Sequence, residues 1–446
     1  RNSLVTRSWM GSLKLKGNPK LCSVCGKTDY PVEDIPHGMI KKVPDGQPTG
    51  CALVSYNEKA FESYGMIGNN NSSICTNCAR TYVEGFNWLL SNGNKVIIAE
   101  KNKKQKEIFK YTNRKNFGSD TAMVFWTRNN KSINEIDLLD TPDNADVVKL
   151  IDSITNGNKS SSRYLETDQF YSCSLSGSAA RIAVRDWIEI SLNEFKKSIV
   201  QWFKDIAIER YNFELKKGDI YYSRLYELAS CARNEKEQKD TTSSRIAVHL
   251  WNAALKGSSP PLWILNAVIK RVRIMENDEN NKSKESIIPA RAALIRLILN
   301  RNNKGGNMIQ ETLDTSNSSP AYVCGRIFAV LESIQRAAMG KNVNAGIRER
   351  FFSFAATNPS PAFGRLMKLS QNHITKLKND KPGLAIVLDK ELQEIFILIN
   401  EFPAIFNLEE QGQFAIGYYH QKQYIFNRSK EKSEMRDAFD DNADEK

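Results

Sequence analysis

The sequence predicts an α+β, zinc-containing N-terminal part, followed by a predominantly α-helical middle region and a C-terminal helical bundle. Three observations carry this. Two C-x-x-C pairs, Cys22-Ser-Val-Cys25 and Cys75-Thr-Asn-Cys78, lie near the start of the chain. Short apolar runs separated by turn residues fill the sequence to about residue 130, and beyond residue 192 apolar residues recur at helical spacing between recognisable start and stop signals. The boundaries that follow are 1–20, the end of a truncated N-terminal segment; 21–130, a basic α+β zinc-knuckle domain; 131–318, a mostly helical middle domain; 319–428, the bundle; and 429–446, an acidic disordered tail. With 446 residues and 41% hydrophobic content the chain can bury a large core. It has neither a signal peptide nor an apolar run of the about 18 residues a membrane span needs, so the expectation is a cytoplasmic protein with no membrane partner.

The cysteine pairs define the first element. Two residues between cysteines let a tight turn aim both thiolates at one ion, and two such turns supply the four ligands of a tetrahedral Zn²⁺ site with no position open for a catalytic water. Cys22, Cys25, Cys75 and Cys78 are therefore the expected ligands, and Gly26 suits a knuckle backbone that needs positive φ. Because 49 residues separate Cys25 from Cys75, the metal would close a large loop, which is a structural task. Disulfides, unpaired buried thiols and a redox pair are the alternatives; the other cysteines (Cys51, Cys173, Cys231, Cys324) are scattered, and neither pair has thioredoxin-like flanks.

The remaining elements follow in order. Ala52–Tyr56, Lys95–Ala99 and Met123–Trp126 read as strands and Arg80–Leu90 as a helix. Residues 155–162 read as a loop and Phe170–Leu175 as a strand, and the pattern turns helical at Ser178–Trp187, placing Arg181 and Arg185 one turn apart on a shared face. Helices are expected at 192–208, 244–255 and 262–274, with a break at Gly257-Ser-Ser-Pro-Pro261 and a loop at 276–286. In the bundle, Ser319-Pro320 is an N-cap with proline at the first helical position, and that helix runs to Gly340. Asn344–Ala356 is a short helix, Ser360-Pro361 opens another, Leu384–Phe402 is a long helix ended by Pro403, and Asn407-Leu-Glu-Glu410 is a capping box for a last helix through Gln423.

Charge points to a polyanion. The formal net charge is +12, and residues 1–130 hold 19 Lys and Arg against 10 Asp and Glu, so most of the excess sits at the cysteine-bearing end. The densest run contains Lys101, Lys103, Lys104, Lys106, Lys110, Arg114 and Lys115 with Phe109 and Tyr111 interleaved. Such a run suits a phosphate backbone, since each cation near a phosphate releases condensed counterions; a solvated loop leading into the strand at Met123 is the plain alternative. Catalytic chemistry is scarce. His37, His249, His373 and His420 are far apart, no Walker loop or G-x-S-x-G elbow occurs, and the metal-spaced cluster is saturated with cysteine, so no enzyme is expected. Two further classes stay open: a free-standing zinc-containing DNA-binding regulator, for which a helix-turn-helix pattern is missing, and a zinc-stabilised nuclease.

A family resemblance joins these parts. The stretches Leu53–Gly65, Trp126, Ser176–Arg185, Pro320–Glu332, Phe402-Pro-Ala and Glu409–Gln421 resemble, in order, the Csd-type large subunit of the type I-C CRISPR Cascade complex. The resemblance implies a non-enzymatic subunit of an RNA-guided surveillance complex that sits at the crRNA 5′ end, senses the PAM in target double-stranded DNA, helps open the duplex, stabilises the R-loop and its displaced strand, and docks a helicase-nuclease. Base pairing reads the sequence and the protein reads a short flank. Backbone, crRNA 5′-end and small subunits are the implied neighbours, and Met308 is the internal start from which the bundle would be made separately as a small subunit. On this reading Asn57, Ser63, Asn69 and Asn71 are candidates for DNA contact, with turn stabilisation as the alternative. The basic run from Lys101 to Lys115 would hold phosphates. Arg181 and Arg185 would clamp a backbone or pair with Asp186 and Glu189. Arg326, Arg336, Arg348, Arg350, Arg365, Lys368 and Lys376 would line a single-strand track, while Tyr418, Tyr419 and His420 are read as core packing and a partner contact.

Overall fold

A computed structural model of the chain describes residues 18–32, 37–99, 105–129, 133–155, 168–233, 241–274, 284–303, 305, 308–340 and 345–443. They fall into two compact units, one built from residues up to 131 together with 168–190, the other from 132–167 together with 191–446.

The first unit is mixed α/β. A short antiparallel pair, β1 (Lys20–Leu21) and β2 (Thr28–Asp29), precedes helix α1 (Thr76–Ser91). A two-stranded antiparallel ribbon follows, β3 (Gly93–Ala99) with β4 (Gln105–Tyr111). The central sheet has four strands in the order β5 (Arg114–Phe117), β6 (Thr121–Thr127), β7 (Gln169–Ser178), β8 (Arg181–Ser191). Alternation places Ala122 and Val124 of β6 opposite Leu175 and Cys173 of β7, on one face. Helix α1 covers that face with Tyr82, Phe86, Leu89 and Leu90, spaced to fall on one helical stripe. Leu90 is fully buried there, a burial that contributes about 2 kcal/mol.

Three sequence expectations change in this unit. Ser178–Trp187 is not helical: β7 ends at Ser178, Ala179 turns with φ of 51°, and β8 runs on from Arg181. The β-branched residues Ile182, Val184, Ile188 and Ile190 alternate at period two, which favours a strand. Ala52–Tyr56 is not a strand, since only Cys51 and Ala52 form single bridges, to Ile40 and Arg181. The basic run is not a loop where it is described, because residues 105–111 form β4, paired from Gln105↔Ala99 to Tyr111↔Gly93.

The second unit is mainly helical. Helices α2 (Asp137–Asp140), α3 (Asn144–Thr155) and α4 (Leu192–Ile206) lead into the hairpin β9 (Ile208–Asn212) and β10 (Lys217–Tyr221). Next come α5 (Leu225–Ser230), α6 (Thr241–Lys256), α7 (Leu262–Arg273) and α8 (Lys284–Asn302). The bundle consists of α9 (Pro320–Met339), α10 (Ile347–Ala355), α11 (Pro359–Asp380), α12 (Pro382–Phe396) and α13 (Leu408–Ala443). A capping box between Ser191 and Glu194 starts α4, which buries Phe195, Ile199, Trp202 and Phe203. The bundle is not separate from the helices before it. The Tyr419 hydroxyl of α13 donates to the Glu209 carbonyl of β9, and Gly412 of α13 lies against Leu299 and Ile295 of α8. Inside the unit, Arg301 and Asp205 form a buried ion pair at 2.7 Å.

Two helix starts read from sequence hold, at Ser319-Pro320, where Ser319 makes no side-chain cap bond, and at Asn407, while the start expected at Ser360-Pro361 lies at Pro359 after Asn358. Ser319 precedes Pro320 at the head of α9, Gly340 ends it with φ of 74°, and Asn407 and Glu410 exchange backbone and side-chain hydrogen bonds at the head of α13. The expected 384–402 helix runs instead from Pro382 to Phe396. The acidic segment from 429, expected to be disordered, continues α13 through Ala443. It holds neither glycine nor proline, so nothing in it breaks a helix already begun. Residues 156–162 of the loop expected at 155–162 and most of that at 276–286 lie outside the described residues, while Thr155 ends α3.

Candidate metal centre and nucleic-acid interface

The sulfur atoms of Cys22, Cys25, Cys75 and Cys78 all lie within 4.8 Å of one another, with Cys25 Sγ and Cys75 Sγ 4.0 Å apart. A tetrahedron of thiolates at about 2.3 Å from a zinc ion has edges of about 3.8 Å, so the four sulfurs fit one ion with small adjustments. The local chain explains the gathering. Gly26 adopts φ of 69° and its N–H donates to the Cys22 carbonyl, closing the first knuckle. Cys75 is the N-cap of α1, so Cys78 sits in the helix's first turn. Pairing of Pro31 with Cys75 and bonds from Ser23 to the Ser73 carbonyl hold the two knuckles side by side.

Electrostatics favour thiolate at one member of the set. Backbone N–H groups of Cys25 and Cys75 lower the Cys22 pKa to about 6, the latter at 3.3 Å from the sulfur. Burial raises that of Cys75, and sharing a hydrogen bond with Cys75 raises Cys78 to about 12. None of the eight cysteines is paired in a disulfide.

The nucleic-acid candidates divide. Asn57 and Arg181, 124 residues apart in sequence, meet: Arg181 Nη2 donates to Asn57 Oδ1 at 2.6 Å, pairs with Glu58 at 3.8 Å and lies over the Phe61 ring. Its carboxylate partner is thus Glu58 rather than Asp186 or Glu189. Arg185 is exposed on the same strand and donates to Ser176 Oγ at 3.4 Å. Ser63 opens a short 3₁₀ turn that displays Tyr64, 97% exposed and left-handed at φ of 62°. Asn69 and Asn71 serve the loop itself, donating to the carbonyls of Val32 and of Met66 and Gly68. Lys106 and Lys110 stand exposed on β4, and Lys115 is half-buried on β5. Lys101, Lys103 and Lys104 lie outside the described residues.

Arg114 is a correction to the sequence reading. Its guanidinium is buried beneath the sheet, where it donates to the carbonyls of Lys42 and Leu90 and to Asn116 and lies over Tyr111, so it holds the fold and presents no cation to a ligand.

With this geometry in view, comparison with known families decides the relationship: the family described as CRISPR-associated protein (Cas_Csd1) matches residues 2–426. The chain belongs to the Cas_Csd1 family. The resemblance read from the motifs therefore holds over nearly the whole chain. No curated protein matches it. No helix among the described residues is long and apolar enough to cross a membrane.

The family motifs of the bundle are largely interior. Arg326 is buried, donating to Gln421 Oε1 and the Thr315 carbonyl, so it too is withdrawn from the expected single-strand track. Arg348 donates to the Val272 carbonyl and packs over the rings of Phe352 and Tyr418. Arg365 and Lys368 are exposed, three residues apart on one face of α11. Sequence reasoning missed Arg210 and Arg224, which with Tyr221 and Tyr222 line a cavity of 370 Å³ beside Thr141 and Asp143. Their spacing carries no pattern that marks them.

His420 is a core residue. Its Nδ1 shares a 2.9 Å hydrogen bond with the Tyr322 hydroxyl, and burial drives its pKa down to about 3, with Arg296 adding to the shift. The sign of the consequence is fixed. The unfolded chain takes up a proton near pH 6.5 and the folded one only near 3, so stability present above pH 6.5 is lost as pH falls through that window. His420→Gln removes the titration. Thermal unfolding of the parent should therefore drop more steeply than that of the variant between pH 6.5 and 4, and parallel profiles would contradict the assignment.

Proposed function

We propose that this chain is the large subunit of a type I-C Cascade: a non-enzymatic, cytoplasmic protein that joins crRNA and the backbone, 5′-end and small subunits, senses the PAM, helps open target duplex DNA, stabilises the R-loop and offers a docking platform to the helicase-nuclease. The observation that carries the reading is the family match over residues 2–426. The basic N-terminal unit supports it, since the positive charge is concentrated where duplex DNA would be met. The cluster of four thiols supports a structural Zn²⁺ with Cys22, Cys25, Cys75 and Cys78 as ligands; bound there, the ion would fix the loop that carries Asn57, Ser63, Asn69 and Asn71. Asn57 with Arg181 is the pair we place nearest the PAM flank, and Arg365 with Lys368 the pair nearest the displaced strand.

The test is binding of the assembled ribonucleoprotein to target duplexes with randomised flanks, with and without this chain, across a salt series. Loss of flank preference and of duplex affinity on omission is expected. Unchanged binding would reject the reading in favour of scaffolding or regulation.

An internal start at Met308 has a structural consequence. A product beginning there lacks α7 and α8, whose Leu265, Ile295 and Leu299 cover Gly412 of α13, and lacks Arg296 and Asn300, which bond the backbone of Ile309. Residues 308–446 expressed alone should bind a hydrophobic dye or self-associate, and addition of the complex should suppress this. A monodisperse fragment with no dye binding would contradict the expectation.

A further inference from the structure

Among the described residues the β3–β4 ribbon pairs with no further strand. Its root is bolted down. Asn92 Nδ2 donates to Asn113 Oδ1 at 2.8 Å, Asn113 donates to the Phe125 carbonyl of β6, and at Gly93 a Cβ would strike Phe109 at 2.7 Å and the Tyr111 backbone at 2.9 Å. Beyond the root, among the described residues, apolar side chains are exposed on both faces: Val96, 38% exposed beside a half-buried Ile108, on one, and Ile97, 64%, with Phe109, 45%, on the other. A two-stranded hairpin is marginal in water without a partner surface. The apolar exposure therefore asks for one, and the side chains around it indicate which.

Register sorts them. Val96 pairs with Ile108 and Asn94 with Lys110, and alternation puts these four and Lys106 on one face. That face is an apolar centre with an ammonium at either end. Lys106 and Lys110 are four strand residues apart, about 13 Å at the strand rise, close to the roughly 12 Å width of the B-form major groove, which admits a two-stranded ribbon. The deep, narrow major groove of A-form RNA does not admit one. We propose that the β3–β4 ribbon is a major-groove binder for B-form duplex DNA, with Lys106 and Lys110 on the phosphates of opposite groove walls and Val96 and Ile108 against thymine methyls. The proposal rests on the DNA-binding reading above and adds the groove, the face and the contacts.

The experiment titrates the full chain with a labelled DNA duplex, the same duplex bearing glucosylated hydroxymethylcytosine, which fills the major groove, and double-stranded RNA of the same sequence, between 50 and 200 mM salt. Lys106→Gln/Lys110→Gln should weaken binding to plain DNA on the order of tenfold and lower the slope of log K against log salt by about 2. Lys106→Arg/Lys110→Arg should restore both. Glucosylated DNA and RNA should bind the parent no better than plain DNA binds the glutamine variant. Equal far-ultraviolet spectra and metal content among the variants secure the fold. Unchanged affinity and slope in the glutamine variant, failure of the arginine variant to restore them, or equal binding of glucosylated DNA or RNA would each overturn the proposal. Flank preference of the assembled complex is scored separately: if it persists while the ribbon variants change nothing, the ribbon inference fails and the proposed function stands.

Discussion

Cys75→Ser is expected to strip the chain of its metal and to loosen the segment between the knuckles. The parent should carry one zinc ion per chain and the variant none, as read by metal analysis. The effect is large because the sulfur removed belongs to Cys75, the residue whose backbone, which serine retains, already joins the two knuckles. Its sulfur is 4.0 Å from that of Cys25, its N–H donates to Cys22 Sγ, and its backbone starts α1 and pairs with Pro31. Structural zinc contributes on the order of 10 kcal/mol in small domains, as much as the whole net stability of a typical fold. Within the loop it closes, residues 26–74, Ile40, Val43 and Cys51 are anchored in the core and residues 44–52 bond to residues 177–182, so the release centres on the stretch of short 3₁₀ turns, residues 59–71. Limited proteolysis should cut within that loop in the variant and in chelator-treated parent, while the bundle stays intact. A variant that keeps stoichiometric zinc would refute the four-thiolate site. Four sulfur donors suit an iron–sulfur cluster as well as zinc, and visible absorbance of the purified chain separates them.

Elements whose signals are local were legible before any coordinates. The C-x-x-C turns, the Ser319-Pro320 and Asn407-Glu410 caps and the apolar stripes of α4 and α9 each depend on residues a few positions apart, and each sits where the spacing placed it. The strand β8 was not, because arginines four apart share a face in a helix and in a strand alike, and only the period-two isoleucines separate the two. Exposure was the least legible property. Arg114 and Arg326 look like the other cations in sequence, yet their partners are the carbonyl of Lys42, 72 positions away, and the amide of Gln421, 95 away. Asn57 and Arg181 are the converse case, joined across 124 residues by a contact that no spacing announces. A nucleic-acid surface is a property of what remains outside once such long-range contacts are made, which is why charge alone over-assigns it.

Gly325→Ala should be among the most damaging single-atom changes in the molecule, because α9 and α13 cross backbone to backbone at this point. A Cβ on Gly325 would strike the Phe414 carbonyl oxygen and, at 2.7 Å, the Tyr418 nitrogen; one on Gly417 would strike the Tyr322 carbonyl oxygen and, at 2.9 Å, its carbon. None of these atoms ends a flexible side chain, so relief requires the helices to part, and the cluster of Phe328, Phe352, Phe414 and Tyr418 beside them parts too. Overpacking of this kind costs about 3 kcal/mol or more, which should lower the thermal midpoint of the second unit by several degrees. Gly364 supplies the control within α11, where a Cβ meets nothing within 4 Å. There the same substitution removes only the entropic cost of a helical glycine and should stabilise by about 0.5–1 kcal/mol. Opposite signs at two helical glycines isolate the crossing as the cause. Gly325→Ala combined with Gly417→Ala should cost less than the sum of the two, since the first methyl already opens the gap that the second needs. A Gly325→Ala protein that melts with the parent would show that α9 and α13 do not approach this closely, and would leave the glycines of the family motif without a packing reason.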